Sequence, residues 1–376
     1  MTKYKSYAEC NYNKALEILR ELGKIPAPSH YEDKRAEFCR VFLKSFGADN
    51  AYIDNAKNVI YEINCESSND ITVFLAHTDT VFPDTEPYTM TEDEEKIYCP
   101  GIGDDTASVV VLLMLAKYYT ENRINPKNGV MFVMNSCEEG LGNLFGIKTL
   151  MESYKSRIVR VISFDACIGT IYNKCVGSHR YKVTVQTEGG HSFGKFGNKN
   201  AIAELSSVIN EIYKINVPKK DGTKTTYNVG NIVGGTSINT IAQEAEMLCE
   251  YRSDDRECLE IMQKKFFDIF DGARKDDVKI EVSLIGERPC AGEVDEKLLY
   301  DLTEKCETVM REFHSDVSLE SASTDCNIPM SLGVPAVTIG VYTGDGEHTR
   351  EEFIIKESIR DGIEIALKTA HTILEI

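Results

Sequence analysis

No run of this 376-residue chain is apolar for long enough to span a bilayer: the best, SVVVLLMLA from Ser108 to Ala116, is about half of the ~18–20 residues required. The first residues, MTKYKSYAECNYNK, are polar and hold no apolar signal core. No C-x-x-C pair occurs among the 12 irregularly spaced cysteines, so reduced thiols in a cytoplasm are expected. Basic residues are outnumbered, 42 Lys plus Arg against 60 Asp plus Glu, and the net charge of −18 is spread over the whole length. Phosphate backbones are bound by clustered base, so neither nucleic acid nor membrane is an expected partner. Internal repeats, low-complexity segments and long linkers are also missing. What is present is an ordinary globular composition, 42% hydrophobic, long enough for a large core and about two domains.

Residues 1–178 alternate helical and strand patterns. YAECNYNKALEILRELG and the stretch from Tyr31 to Phe46 read as helices, and NVIYEIN, ITVFLAH, GVMFVMN and RVISFDA as strands. This alternation predicts a mostly parallel α/β sheet flanked by helices. The same texture returns over 289–376, with a helix after Val294, a strand PAVTIGV and a closing helix from Glu351. Residues 179–288 instead read β-α-β-β-α-β, the ferredoxin-like order, so a small α+β domain is expected as an insertion in the larger one. The loop from Phe82 to Pro100 is long and acidic enough to be mobile.

Ligands of open α/β sheets gather at the carboxyl ends of the strands. Four apolar strands lead there into His77, into Glu138 and Glu139, into Asp165, and into His348, and a glycine-rich turn delivers Asp104 and Asp105 to the start of an apolar helix. Singly, each has a plain structural explanation, such as a helix cap or a solvated loop residue. Together, two histidines and several carboxylates at one sheet edge form a zinc-type donor set, numerous enough for two metals. Two Zn²⁺ bring four positive charges, and Asp104, Glu139 and Asp165 neutralise three, leaving one to hold a hydroxide. Glu138 is then free to act as the general base. Asp79, two residues from His77 on an extended chain, can accept a hydrogen bond from its ring and fix its tautomer.

The segments FLAHTDTVFP, GIGDDTASVVVLLM, NSCEEGLGN, SFDA, EGGHSFGKFGNKNAI and STDCNIPMSLGVPAVTIGVYTGDGEHTREEF, in that order, resemble the M20 family of co-catalytic zinc peptidases and amidohydrolases, and most of all its peptidase T-like branch. The resemblance runs from about residue 70 to 355. It implies His77 and Asp165 on one zinc, Glu139 and His348 on the other, Asp104 bridging, and a cis peptide between Asp104 and Asp105. Co²⁺ or Mn²⁺ are possible substitutes for the two Zn²⁺. It makes the 179–288 insertion a lid and dimerisation domain, with His191 of the GGH motif polarising the scissile carbonyl, in trans if a two-fold dimer forms. Asn239 and Arg252 would hold a substrate carboxylate or carbonyl. The implied activity is an aminopeptidase acting on short peptides, with N-acyl amino acid deacylation or carboxypeptidase action as rivals, and a non-catalytic binding protein as the alternative of another class. Thr106 departs from the Lys or Asn that many members carry two residues after the bridging aspartate.

Thr349 and Glu352 have the spacing of a capping box for the closing helix. Cys137 has no histidine nearby in sequence and is expected to be a buried thiol. His30, His179, His314 and His371 match no motif.

Overall fold

In the computed structural model, which describes residues 2–376, the chain forms two compact units. One comprises the segments up to Cys175 and from Gly292; the other is Val176–Ala291. The sequence boundaries at 178/179 and 288/289 fall a few residues inside the insertion, because the strands Gly177–Gln186 and Lys279–Arg288 belong wholly to it.

The first unit is built on an eight-stranded sheet. From edge to edge it runs Tyr52–Ile53, Val59–Ile63, Gly129–Asn135, Ile71–His77, Ile158–Phe164, Ala336–Ile339, Thr170–Cys175 and Ser318–Ala322. The four strands from Gly129–Asn135 to Ala336–Ile339 are mutually parallel, so their carboxyl ends share one edge. Every residue of Ile71–His77 and Gly129–Asn135 is buried, which is why both read as continuous apolar runs rather than as alternation.

Helix α1 (Lys3–Gly23) starts on Thr2, whose Oγ1 accepts the Lys5 N–H at 3.2 Å. Helix α2 (Asp33–Ser45) carries a buried arginine, Arg35. Helix α3 (Ser108–Glu121) is buried on nearly all sides, as its run of Val, Leu and Met requires, and each such side chain removed from water stabilises the fold by roughly 1.5–3 kcal/mol. The closing helix is Ser358–Leu374 rather than a helix from Glu351. It docks through Gly362, where a Cβ would lie 1.8 Å from the Val341 carbonyl oxygen, so Gly362→Ala would force it away from the core.

The residues just before that helix are extended. Phe353–Ile355 joins Gly344–Asp345, Lys96–Tyr98 and Thr91–Glu92 in a small antiparallel sheet, so half of the Phe82–Pro100 loop is tied into structure. The capping box is therefore wrong. Thr349 Oγ1 donates to the Gly346 carbonyl at 2.6 Å, and Glu352 turns inward to other partners.

The second unit follows the order strand Gly177–Gln186, helix Ala201–Ile212, strands Thr225–Gly234 and Glu244–Ser253, helix Arg256–Gly272 and strand Lys279–Arg288. Its antiparallel sheet is ordered Thr225–Gly234, Glu244–Ser253, Gly177–Gln186, Lys279–Arg288, the ferredoxin-like arrangement. Val183, Val185, Met247 and Tyr251 meet Leu205, Val208, Met262 and Phe266 of the helices in a separate core. Asn200 and Asp255 cap the two helices through their side chains.

Candidate active site

His77 ends its strand with its ring fully buried. Its Nδ1 lies 3.1 Å from the Asp79 main-chain carbonyl, an oxygen that can only accept, so Nδ1 carries the proton and Nε2 holds the lone pair. Nε2 faces Asp104 Oδ1 at 3.0 Å, and the other oxygen of the same carboxylate faces His348 Nε2, also at 3.0 Å. His348, in the left-handed region at φ 63°, reaches Glu139 Oε1 at 3.2 Å as well. The Asp104–Asp105 peptide is cis. His77, Asp104 and Glu139 bring donor atoms within 4.8 Å of one another, and so do His77, Asp105 and Asp165.

Asp79 serves the site differently from the sequence reading. Its carbonyl, not its carboxylate, takes the closer approach of His77, with Oδ1 at 3.4 Å from Nδ1. The carboxylate accepts the main-chain N–H groups of Glu138 and Glu139, each at 2.9 Å, and the Ser29 hydroxyl at 2.7 Å. It thus fixes the turn that presents the two glutamates.

The Asp104 loop is held from the far end of the chain. Glu352, 1% exposed, accepts N–H groups of Gly101, Gly103 and Asp104 at 2.6, 2.8 and 2.8 Å. Thr106 accepts from Arg35 at 3.1 Å and donates to the Gly101 carbonyl. Asp105 Oδ2 accepts the His77 N–H at 2.9 Å, and Asp325 accepts from Asn135 at 2.7 Å.

The electrostatics are those of a site meant for cations. Burial and the nearby Asp104 push Glu139 up to about 8, and burial lifts Asp325 and Glu352 to about 7. Asp105 and Asp165 are also raised, chiefly by burial. Burial acts to raise Asp104 too, but the His348 and His77 rings hold it well down, and in return Asp104 and Glu139 raise His348 to about 11. A lone-pair nitrogen facing a carboxylate oxygen at 3.0 Å needs a proton or a metal ion between them. Two imidazoles and four carboxylates converge on this volume, so the residues present fit hard-to-borderline divalent metals.

Cys137 does have a histidine beside it in space: His30 Nδ1 is 3.3 Å from its sulfur, and Glu32 Oε1 is 3.2 Å away. Burial and the Glu32 charge raise the thiol strongly, which removes it as a nucleophile. His179 and His371 are buried and bonded to Tyr251 and to the Leu367 carbonyl, and His314 to the Asp316 carbonyl.

In the second unit, His191 Nδ1 accepts the N–H groups of Phe193 and Gly194 at 3.3 and 3.2 Å, which leaves its proton on Nε2. Asn239 is adjacent, its carbonyl accepting the Ser192 N–H at 2.9 Å. Arg252 is not with them. It pairs with Ser178 in the sheet, while Glu244 pairs with Gln186 next to the His191 turn, so about 27 Å of strand intervene at ~3.4 Å per residue. Its guanidinium is bound at both ends to Glu250, at 2.7 and 3.0 Å.

Comparison with known proteins agrees with this geometry. A Bacillus subtilis protein, YqjE, is 24% identical over 97% of this chain and 98% of its own. The fold is that of an aminopeptidase PepT from Bacillus cereus (TM-score 0.75, 19% identity, 96% of this chain and 99% of that one) and of a tripeptidase from Staphylococcus aureus (0.77, 20%, 97% and 98%). The sequence model of peptidase family M20/M25/M40 matches residues 73–372, a span that opens just before His77 and closes beyond His348 and contains the inserted unit. The chain accordingly belongs to the M20 family, a family of dinuclear metal-binding hydrolases, and is a metallopeptidase-type enzyme.

Proposed function

We propose that this protein is a two-zinc amide hydrolase that releases the N-terminal residue of short peptides. The observation that carries the reading is Asp104, one carboxylate with an oxygen toward each of two histidines from separate segments. In this reading His77 and Asp165 hold one ion, Glu139 and His348 the other, and Asp104 both. When bound, the metals supply Lewis acidity to the substrate carbonyl and acidify water. Glu138, fixed by Asp79 through its main-chain N–H, takes a proton from the attacking water and passes it to the leaving nitrogen. His191, with its proton on Nε2, donates to the carbonyl oxygen as it gains charge.

Two observations favour an aminopeptidase over a carboxypeptidase. The fold is shared with proteins described as an aminopeptidase and a tripeptidase. The arginine that would hold a substrate carboxylate, Arg252, is instead bound to Glu250. The strand length between Arg252 and His191 also means that one small substrate touching both takes them from two copies of the chain, which supports a homodimer through the second unit. The test is hydrolysis of a panel of di- and tripeptides with free and blocked N-termini by the zinc-loaded protein. Turnover of free tripeptides with release of the first residue is expected. Turnover of N-acylated substrates alone would replace the reading with deacylation.

A further inference from the structure

Arg35 is the largest fully buried side chain of the molecule and keeps a positive charge where charge is costly. Burial draws its pKa down, and Asp79 is the only carboxylate among the groups that most oppose this. Its hydrogen bonds go to neutral acceptors. Nε donates to the Ile25 carbonyl at 2.8 Å, and Nη1 to the Thr78 carbonyl and the Thr106 hydroxyl, both at 3.1 Å.

Each acceptor belongs to a segment that carries the site. Thr78 lies between His77 and Asp79. Thr106 follows Asp104 and Asp105, and passes the restraint on to the Gly101 carbonyl. Ile25 opens the stretch that pairs with Thr80 through Ala27 and Pro28 and delivers Ser29 to Asp79. A planar guanidinium sets the directions of its bonds, which an ammonium on a flexible stem cannot do.

We infer that Arg35 is a positioning residue of the metal centre, holding the His77–Asp79 loop and the Asp104–Thr106 loop at the separation at which Asp104 faces His77. The inference rests on the two-metal reading. It acts through main chain and Thr106, so Arg35 itself touches neither metal nor substrate.

The test compares Arg35→Met, Arg35→Lys, Thr106→Val and Thr106→Ser. Zinc dissociation constants are measured by competition with a chromophoric chelator, and kcat and KM on a tripeptide. Arg35→Met should weaken zinc about 10- to 100-fold, the usual loss when a group orienting the ligands is removed, and lower kcat with KM little changed. Arg35→Lys, charged but without the fork, should fall between Met and the native residue. Thr106→Ser should match the native protein, and Thr106→Val should weaken zinc several-fold. A folded Arg35→Met variant with native zinc affinity and kcat would overturn the inference. Should Arg35→Met fail to fold, native zinc affinity in Thr106→Val would overturn it equally. A native protein that binds no zinc would defeat the two-metal reading itself, a result distinct from either.

Discussion

Asp79 shows how much of a site one buried side chain can organise. Its carbonyl decides which nitrogen of His77 carries the proton, and its carboxylate decides where Glu138 and Glu139 begin. Glu138 is thereby separated in task from Glu139: one contacts His348 through its carboxylate, and the other is left for proton transfer. Glu138→Gln keeps the main-chain bond to Asp79, so metal content should stay native while kcat drops by ~10²–10⁴, the range for a lost general base. Metal analysis with steady-state kinetics checks this, and native turnover would move the base to another group. The donors His77, Asp104, Glu139, Asp165 and His348 were legible in sequence because each follows an apolar strand or a glycine-rich turn at the same edge. Arg35 was not. It stands on a helix with ordinary amphipathic spacing, and only the tertiary fold brings Thr78 and Thr106 to it.

At the scale of elements, the strands and helices of both units follow the hydrophobic pattern closely, Ile71–His77 and Gly129–Asn135 to the residue. The segment before the closing helix did not, because Thr349 and Glu352 have capping-box spacing while Phe353–Ile355 is β-rich and pairs with Lys96–Tyr98. Pairing across more than 250 residues overrode a local signal. Its consequence is functional, since the same extended segment places Glu352 under the loop of Asp104. Glu352→Gln replaces one acceptor oxygen with an amide donor facing main-chain N–H groups. At pH 8, above the value near 7 to which burial lifts this carboxyl, the variant should lose about 2–3 kcal/mol of unfolding free energy and bind zinc more weakly. Urea denaturation of the metal-free protein measures the first quantity. Unchanged stability would mean that the loop holds its shape without Glu352.

For the molecule as a whole, a chain of net charge −18 concentrates buried carboxyls at one sheet edge. Glu139 near 8, Asp325 and Glu352 near 7, and the raised Asp105 and Asp165 all bind protons more tightly folded than unfolded. Groups of this kind add stability below their unfolded values and lose it as pH rises through the folded ones. The metal-free protein should therefore melt at progressively lower temperature as pH rises through about 7 to 8, the interval set by Glu139, Asp325 and Glu352. Zinc-loaded protein should show little of this slope, because the metals take the place of the protons. Calorimetry of both forms across that interval checks the sign, and a metal-free protein that gains stability with rising pH would contradict it.

The central claim, a paired metal site bridged by Asp104, is tested most directly by counting metal ions bound per chain in protein titrated with zinc and freed of excess. The account predicts about two tightly held ions per chain, falling below two in Asp104→Ala. One ion or none in the native protein would contradict it.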